Sequence, residues 1–254
     1  MQIRILGCSG GIGGARRTTA MLVDDDILID GGTGVGDLSL EELARIDHVF
    51  ITHSHLDHIA CIPLLIDSVA RHRSKPITLY ATVAVLRILQ GHVFNWLIWP
   101  DFSRIPDPRN PFMTYRTVAI GESVELGGRR ITPLPAQHTV PAVGYHLDSG
   151  TASLVFTGDT TIQDKLWDHL NRIDNLRYLI IETAFSEEQR DIAVASKHLS
   201  PAMLGRELAK LKRAAEIYVT HLKPGDDDAI TTEVEHFAGQ YAPAMLRNGQ
   251  TFEL

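Results

Sequence analysis

The densest chemistry in the chain lies in one short run, His53-Ser54-His55-Leu56-Asp57-His58, with three histidines and one carboxylate. Imidazole nitrogens and carboxylate oxygens are ligands for zinc and related borderline metals. The alternation of His53 and His55 lets both side chains project towards one site. Asp57 and His58, in the turn that follows, point to a second ion beside the first. The plain alternative is a surface loop that happens to be rich in histidine. Further donors stand alone: His138 after Leu134-Pro135-Ala136-Gln137, Asp159 after Leu154-Val155-Phe156-Thr157-Gly158, and His221 after Tyr218-Val219-Thr220. Taken singly, such a histidine is more often structural, and such an aspartate a turn or cap residue. Their shared placement, each where an apolar run gives way to a loop, makes them candidates for the same site, because ligands and reacting groups gather at that edge in layered α/β proteins.

The elements that must position these donors are short apolar runs ending in polar clusters. They read as buried strands over Gln2–Leu6, Ile27–Asp30, His48–Thr52, Ile131–Leu134, Ser153–Thr157, Tyr178–Glu182 and Ile217–Thr220. Helical stretches lie between several of them. The clearest is Ser200–Ala215, with Ser200 as N-cap, Pro201 in the first turn, and Leu204, Leu208 and Leu211 on one face. The expected class is mixed α/β. No linker or low-complexity segment divides the chain, so residues 1–254 are expected to form a single domain. The least regular stretch, residues 92–111, holds two tryptophans, two phenylalanines and several prolines, and reads as a long insertion loop or lid.

Composition narrows the function. An apolar fraction of 44% over 254 residues supports a substantial buried core. The formal charge of -7 is spread along the chain without a basic stripe, which disfavours long nucleic acid as a partner. Cys8 and Cys61, the two cysteines, lie far apart and neither belongs to a CxxC pair, so neither a disulfide framework nor a thiolate zinc site is expected. The first residues lack a signal-type apolar stretch, and no later run approaches about 18 apolar residues. A cytoplasmic, non-membrane protein is expected.

The series HxHxDH, a later histidine, a Gly-Asp and a final histidine resembles the metal-binding series of the metallo-β-lactamase superfamily, over nearly the whole chain. The resemblance implies a four-layer αβ/βα sandwich with the site at one edge. It implies that His53, His55 and His138 hold one divalent ion, that Asp57, His58 and His221 hold the other, and that Asp159 bridges both. Zinc is the expected metal, with manganese or iron as alternatives. Within the superfamily the chain is similar to class II 3′,5′-cyclic nucleotide phosphodiesterases. The segments that carry this likeness are His53-Ser-His-Leu-Asp-His-Ile59, Ile181-Glu-Thr-Ala-Phe185, Ser196-Lys-His-Leu-Ser-Pro201 and Thr220-His-Leu-Lys-Pro-Gly225. Where that pattern has a small Gly or Ser after Ile59-Ala60, this chain has Cys61. Glu182 and His198 also resemble a pair that flanks the metals in transfer-RNA 3′-end endonucleases of the same superfamily. A structural reading of that pair has Glu182 bound to a nearby cation and His198 merely preceding a helix.

The expected reaction is hydrolysis of a small phosphodiester, cyclic AMP foremost, by a water or hydroxide shared between the two ions. Asp57 would orient that water as well as bind metal, and His198, supported by Glu182, would protonate the departing oxygen. Opening of a lactone, thioester or β-lactam by the same site, RNA processing, and a metal-stabilised nucleotide sensor without turnover are the alternatives. The aromatic stretch leaves two roles open, substrate binding or the pairing of two copies in a homodimer.

Overall fold

A computed structural model describes residues Met1–Leu254. The first half of the chain builds β1 (Gln2–Gly7), β2 (Ala20–Val23), β3 (Ile27–Ile29), β4 (His48–Phe50) and β5 (Ile77–Ala81). A two-residue hairpin of β6 (Pro106–Asp107) and β7 (Asn110–Pro111) precedes β8 (Met113–Thr117). The second half contributes β9 (Val124–Leu126), β10 (Arg129–Pro135), β11 (Val143–Asp148) and β12 (Ser153–Phe156). These are followed by β13 (Leu176–Glu182), β14 (Glu216–Thr220) and β15 (Ala244–Met245), and β16 (Thr251–Glu253) returns to pair with β1. Two seven-stranded sheets result, ordered β16-β1-β2-β3-β4-β5-β8 and β15-β14-β13-β12-β11-β10-β9. In each, antiparallel strands at one side give way to parallel pairing, over β3-β4-β5-β8 and over β12-β13-β14-β15.

The strands are buried on both faces, so single residues alternate between two different cores. Ile27, Ile29 and Phe50 face the other sheet, where they meet Tyr145, Phe156 and Ile180. Leu28 and Val49 face outwards onto the helices over Ile62–Val69 and Val83–His92. The helices are α1 (Leu40–Arg45), α2 (Leu56–Ile59), α3 (Ile62–Val69) and α4 (Val83–His92) in the first half. The second half has α5 (Lys165–Leu170), α6 (Arg190–Ser196), α7 (Pro201–Leu208) and α8 (Asp227–Ala238). On the second sheet Tyr178 and Ile180 face inwards, while Leu179, Ile181 and Val219 pack on α5, α7 and α8. Helix, sheet, sheet and helix therefore form the four-layer αβ/βα sandwich expected from the sequence.

All seven expected strands are present, with ends displaced by two residues or fewer. The helix expected over Ser200–Ala215 is a correction: α7 ends at Leu208. Beyond it Lys210 and Leu211 make turn bonds to Glu207 O and Leu208 O. Asn171 then draws the chain off the helix axis, donating to Lys210 O at 3.0 Å and accepting from Lys212 N at 2.7 Å. Ser200 does stand at the N-cap, but its side chain makes no cap bond. Glu187 meets the helix instead, accepting from Ala202 N at 2.8 Å.

Residues 92–111 are also less loop-like than expected. Phe94 and Phe102 are buried in the core above the first sheet, and Trp99 N closes onto Val93 O. Two parts stay at the surface, the hairpin around Pro106–Asn110 and the tip. At the tip the Asn95 side chain accepts from Leu97 N and Ile98 N at 3.0 and 2.8 Å, an Asx turn that leaves Trp96, Leu97 and Ile98 exposed. No helix of the protein is long and apolar enough to cross a membrane.

Candidate metal centre

The donors converge at the C-terminal ends of strands from both sheets. His53, His55, Asp57 and His58 follow β4 across a short loop into α2, with His55 as the residue before the helix. His138 follows β10, Asp159 follows β12, Glu182 closes β13 and His221 follows β14. The Gly-Asp turn before Asp159 needs its glycine: Gly158 has φ +61°, and a Cβ there would lie 2.8 Å from Val143 O. His221 itself is held at φ 69°, the left-handed region a histidine adopts only when its surroundings dictate it.

Two groups of donor atoms result, each with all atoms within 4.8 Å of one another: His53, His55, His138 and Asp159, and Asp57, His58, Asp159 and His221. Asp159 belongs to both. Its Oδ2 lies 3.6 Å from His53 Nε2, 3.9 Å from His138 Nε2 and 3.3 Å from His221 Nε2, and its Oδ1 lies 3.3 Å from His58 Nε2. His55 Nδ1 faces His138 Nε2 at 3.1 Å, and Asp57 Oδ2 faces His221 Nε2 at 3.6 Å. Donors each about 2.0–2.1 Å from one tetrahedral ion stand roughly 3.4 Å apart, so these spacings suit a shared cation. The buried nitrogens His53 Nε2 and His58 Nε2 have no hydrogen-bond partner. An orphaned buried polar atom costs about 1–3 kcal/mol, and ligation of a cation removes that cost. The donor set therefore fits divalent metal ions.

Hydrogen bonds behind the donors fix which nitrogen is free. His58 Nδ1 donates to Asp30 Oδ2 at 2.7 Å, and His138 Nδ1 donates to Lys197 O at 3.1 Å. Thr52 Oγ1 donates to Asp30 Oδ2 at 2.8 Å, so it can only accept from His53 Nδ1, 3.0 Å away. In the neutral form of all three rings the proton sits on Nδ1, and the Nε2 lone pair faces the site. Burial pushes His138 down to about 4 and His221 to about 3, and takes His53 well below its ordinary value, which keeps these rings neutral and able to ligate. Burial would lower His58 as well, but Asp159 and Asp30 outweigh it and raise its pKa well above the usual range, so ligation through its Nε2 requires a cation to displace the proton there. Burial opposes the charge on Asp159, and the neighbouring histidines, His221 and His58 foremost, more than offset that and keep it ionised.

Glu182 and His198 form a separate unit beside both groups. Glu182 Oε1 accepts from His198 Nδ1 at 2.8 Å and from Thr160 N at 3.0 Å, while Oε2 accepts from Leu199 N at 3.2 Å. The His198 ring lies 4.8 Å from that of His138 and stacks on His221 at 5.2 Å. Burial opposes its charge, yet the Glu182 carboxylate prevails and raises its pKa. The structural reading in which Glu182 binds a lysine or arginine does not hold, because its partners are this histidine and two backbone amides.

Every donor expected from the sequence is thus at one site. Two residues that the structure places at the site were not among those expected. Asp30, wholly buried at φ 58°, anchors both His58 and Thr52; its signal was a carboxylate closing the apolar run Ile27–Asp30 just before Gly31-Gly32. Lys223 reaches the rim, its Nζ 3.8 Å from Asp57 Oδ2. A third cluster, Asp26, Asp47 and His48, lies at the other end of β3 and β4. Its carboxylates are already engaged by Arg129, Arg73 and Lys75.

An αβ/βα sandwich carrying two His/Asp groups at one edge is the architecture of the metal-dependent hydrolases of the metallo-β-lactamase fold. Residues 26–222 match the family described as Beta-lactamase superfamily domain, and the chain belongs to that family. It is 26% identical over 205 residues to a probable 3′,5′-cyclic-nucleotide phosphodiesterase of Yersinia pestis, covering 70% of this chain. The match spans 57% of that relative, little more than half its length. A ribonuclease Z of Clostridium kluyveri is 22% identical over 248 residues, covering 90% of this chain and 77% of the relative. The crystal structure of unliganded yeast PDE1 shares the fold, with a TM-score of 0.82 at 20% identity over 100% of this chain and 99% of that one.

Proposed function

We propose that this hydrolase is a phosphodiesterase acting on a small substrate, a 3′,5′-cyclic nucleotide and cyclic AMP foremost. In this reading two divalent ions, zinc or else manganese or iron, are held by His53, His55, His138 and Asp159 and by Asp57, His58, Asp159 and His221. The observation that carries it is the Glu182–His198 pair set against both ligand groups. Divalent ions bound in such a site supply positive charge for phosphoryl oxygens and a water whose pKa falls to roughly 7. The chain supplies the rest. Asp57, partly exposed beside His221, orients the attacking water. His198 holds a proton at Nε2, the ring nitrogen left without a hydrogen bond, and delivers it to the departing ester oxygen, while Glu182 fixes the ring through Nδ1. Breaking an alkoxide leaving group from phosphorus needs that proton, whereas a thioester expels a thiolate that does not; a lactone also expels an alkoxide, and a substrate panel that includes one separates it.

The likeness to the Yersinia pestis relative supports a cyclic nucleotide, and the charge of -7 without a basic stripe counts against long RNA. The test is turnover of cyclic AMP, cyclic GMP, bis-p-nitrophenyl phosphate, a lactone, a thioester and a transfer-RNA precursor, with metal content measured on the same preparation. Turnover of the cyclic nucleotides and the synthetic diester is expected. The reading falls if metal-loaded protein cleaves only the lactone, thioester or RNA, or binds cyclic nucleotide without forming product.

A further inference from the structure

Lys223 has no part in the donor set, yet its ammonium stands at the rim of it. Nζ lies 2.7 Å from Gly10 O, 3.4 Å from His221 Nε2 and 3.8 Å from Asp57 Oδ2. An ammonium has three N–H groups, and only the Gly10 carbonyl takes one at full hydrogen-bonding distance. The His221 contact disappears once that Nε2 serves as a ligand. Two donors then remain, on a side chain that is still partly exposed.

Local packing holds the ammonium in place. Lys223 N donates to Ala184 O, Gly10 N donates to Leu222 O and Ser9 Oγ donates to Leu222 O, so the segment that carries the lysine is tied to its surroundings, the loop above it included, without the ammonium. The approach is close enough to exclude any side chain at position 10: a Cβ on Gly10 would lie 2.5 Å from His221 O and 3.0 Å from the Lys223 Cδ. Because the loop is pinned without the ammonium, support of that loop does not account for a lysine at this position.

We propose that Lys223 is an anion clamp of this site, binding a non-bridging phosphoryl oxygen of the substrate and of its phosphate product. This rests on the phosphodiesterase reading above. Two bound divalent ions would offset the charge of Asp57 and Asp159, and Asp30 and Glu182 are each paired with a histidine, His58 and His198. The ammonium therefore adds the positive charge at the rim that an approaching phosphodiester meets, and a compact ammonium serves as a point charge for phosphate.

The test measures binding of inorganic phosphate to metal-loaded protein by titration calorimetry, for wild type, K223R, K223Q and K223M, alongside metal content, thermal melting and kinetics on bis-p-nitrophenyl phosphate. K223Q keeps a donor for Gly10 O and removes the charge; K223M keeps the length and serves if the Gln variant does not fold. Phosphate binding should weaken about tenfold or more in K223Q and K223M, with KM rising by a similar factor, while K223R retains most of the affinity and all variants keep their metal. Unchanged phosphate affinity in K223Q, loss of metal from it, or no phosphate binding by wild type overturns the clamp. Absence of phosphodiester turnover by wild type instead overturns the functional reading, and phosphate affinity reports on Lys223 independently of it.

Discussion

The donor cluster and the aromatic tip at Trp96–Ile98 lie at opposite extremes of constraint. At the cluster, His53, His58, His138, Asp159 and His221 are buried, and the rings of His53, His58 and His138 have their outer nitrogen fixed by Thr52, Asp30 and a backbone carbonyl. At the tip, Leu97 is 88% exposed and Ile98 68%, and the turn is set by one asparagine side chain. A cavity of about 480 Å³ lies between α2 and α3 and the tip segment, lined by Leu56, Ile59, Pro63, Leu64, Ile98 and Trp99 among others. Leu56 stands between His55 and Asp57, so this apolar wall begins where the donor cluster ends. Positions of atoms that must ligate are dictated by two packed cores. Recognition of a varying substrate needs surface that the cores do not dictate, and the difference predicts which substitutions act on chemistry and which on selection.

The sharpest break in that contrast is Asp159→Ala. Its carboxylate faces four histidine nitrogens drawn from both donor groups, so its removal should strip bound metal from both and abolish turnover. Metal analysis after gel filtration checks this; two tightly held ions in the variant would contradict the shared position. Next in size is His198→Ala. Loss of a general acid costs about 10² to 10⁴ in rate, and the loss should be large on a cyclic nucleotide and much smaller on bis-p-nitrophenyl phosphate, whose leaving group needs little protonation. Metal content should be retained. Asp30→Asn keeps the shape of the support under His58 and withdraws its charge, so metal affinity should fall about 10- to 100-fold, read by competition with a chelator, while the fold survives.

The same contrast explains what was legible in the sequence. His53, His55, Asp57 and His58 stand out because a strand end and one helical turn place four donors side by side within six positions. His138, Asp159 and His221 stand out because each follows an apolar strand, a local signal for a place that only the sheets make common, whereas Glu182 and His198 enter through the family resemblance. Asp30 sits at such a strand end too, but an aspartate before two glycines reads equally well as a turn, and its pairing with His58 is a tertiary fact. Lys223 lies in the Thr220–Gly225 segment with nothing local to mark it, because its meeting with Asp57 and Gly10 depends on how the two sheets face each other. The end of α7 was misplaced for a similar reason: Leu211 continues the helical spacing, and the residue that overrides it, Asn171, lies on the far side of β13 in sequence. Strand β11, Val143–Asp148, carries a different signal: Val143, Tyr145 and Leu147 alternate with Gly144, His146 and Asp148, a period-two pattern that a search for continuous apolar runs passes over, and it pairs on both sides.

The smallest effect expected is at the tip, and it separates recognition from packing. Trp96 is 59% exposed at φ 67° and touches none of the donors, so Trp96→Ala should leave metal content and turnover of bis-p-nitrophenyl phosphate unchanged. Trp99, packed against the core above the first sheet, supplies the contrast: its replacement by alanine should lower the melting temperature. Stacking of a base on an aromatic contributes about 1–3 kcal/mol when the base is well enclosed, and an exposed ring yields less. If the tip receives the base of a nucleotide, Trp96→Ala should therefore raise KM for cyclic AMP by roughly threefold to tenfold, with kcat held. Steady-state kinetics on both substrates decides it. A rise in KM confined to the nucleotide assigns the tip to substrate selection. Equal KM values on both substrates, accompanied by a fall in molecular mass on sizing, would place Trp96 in a contact between two copies of the chain.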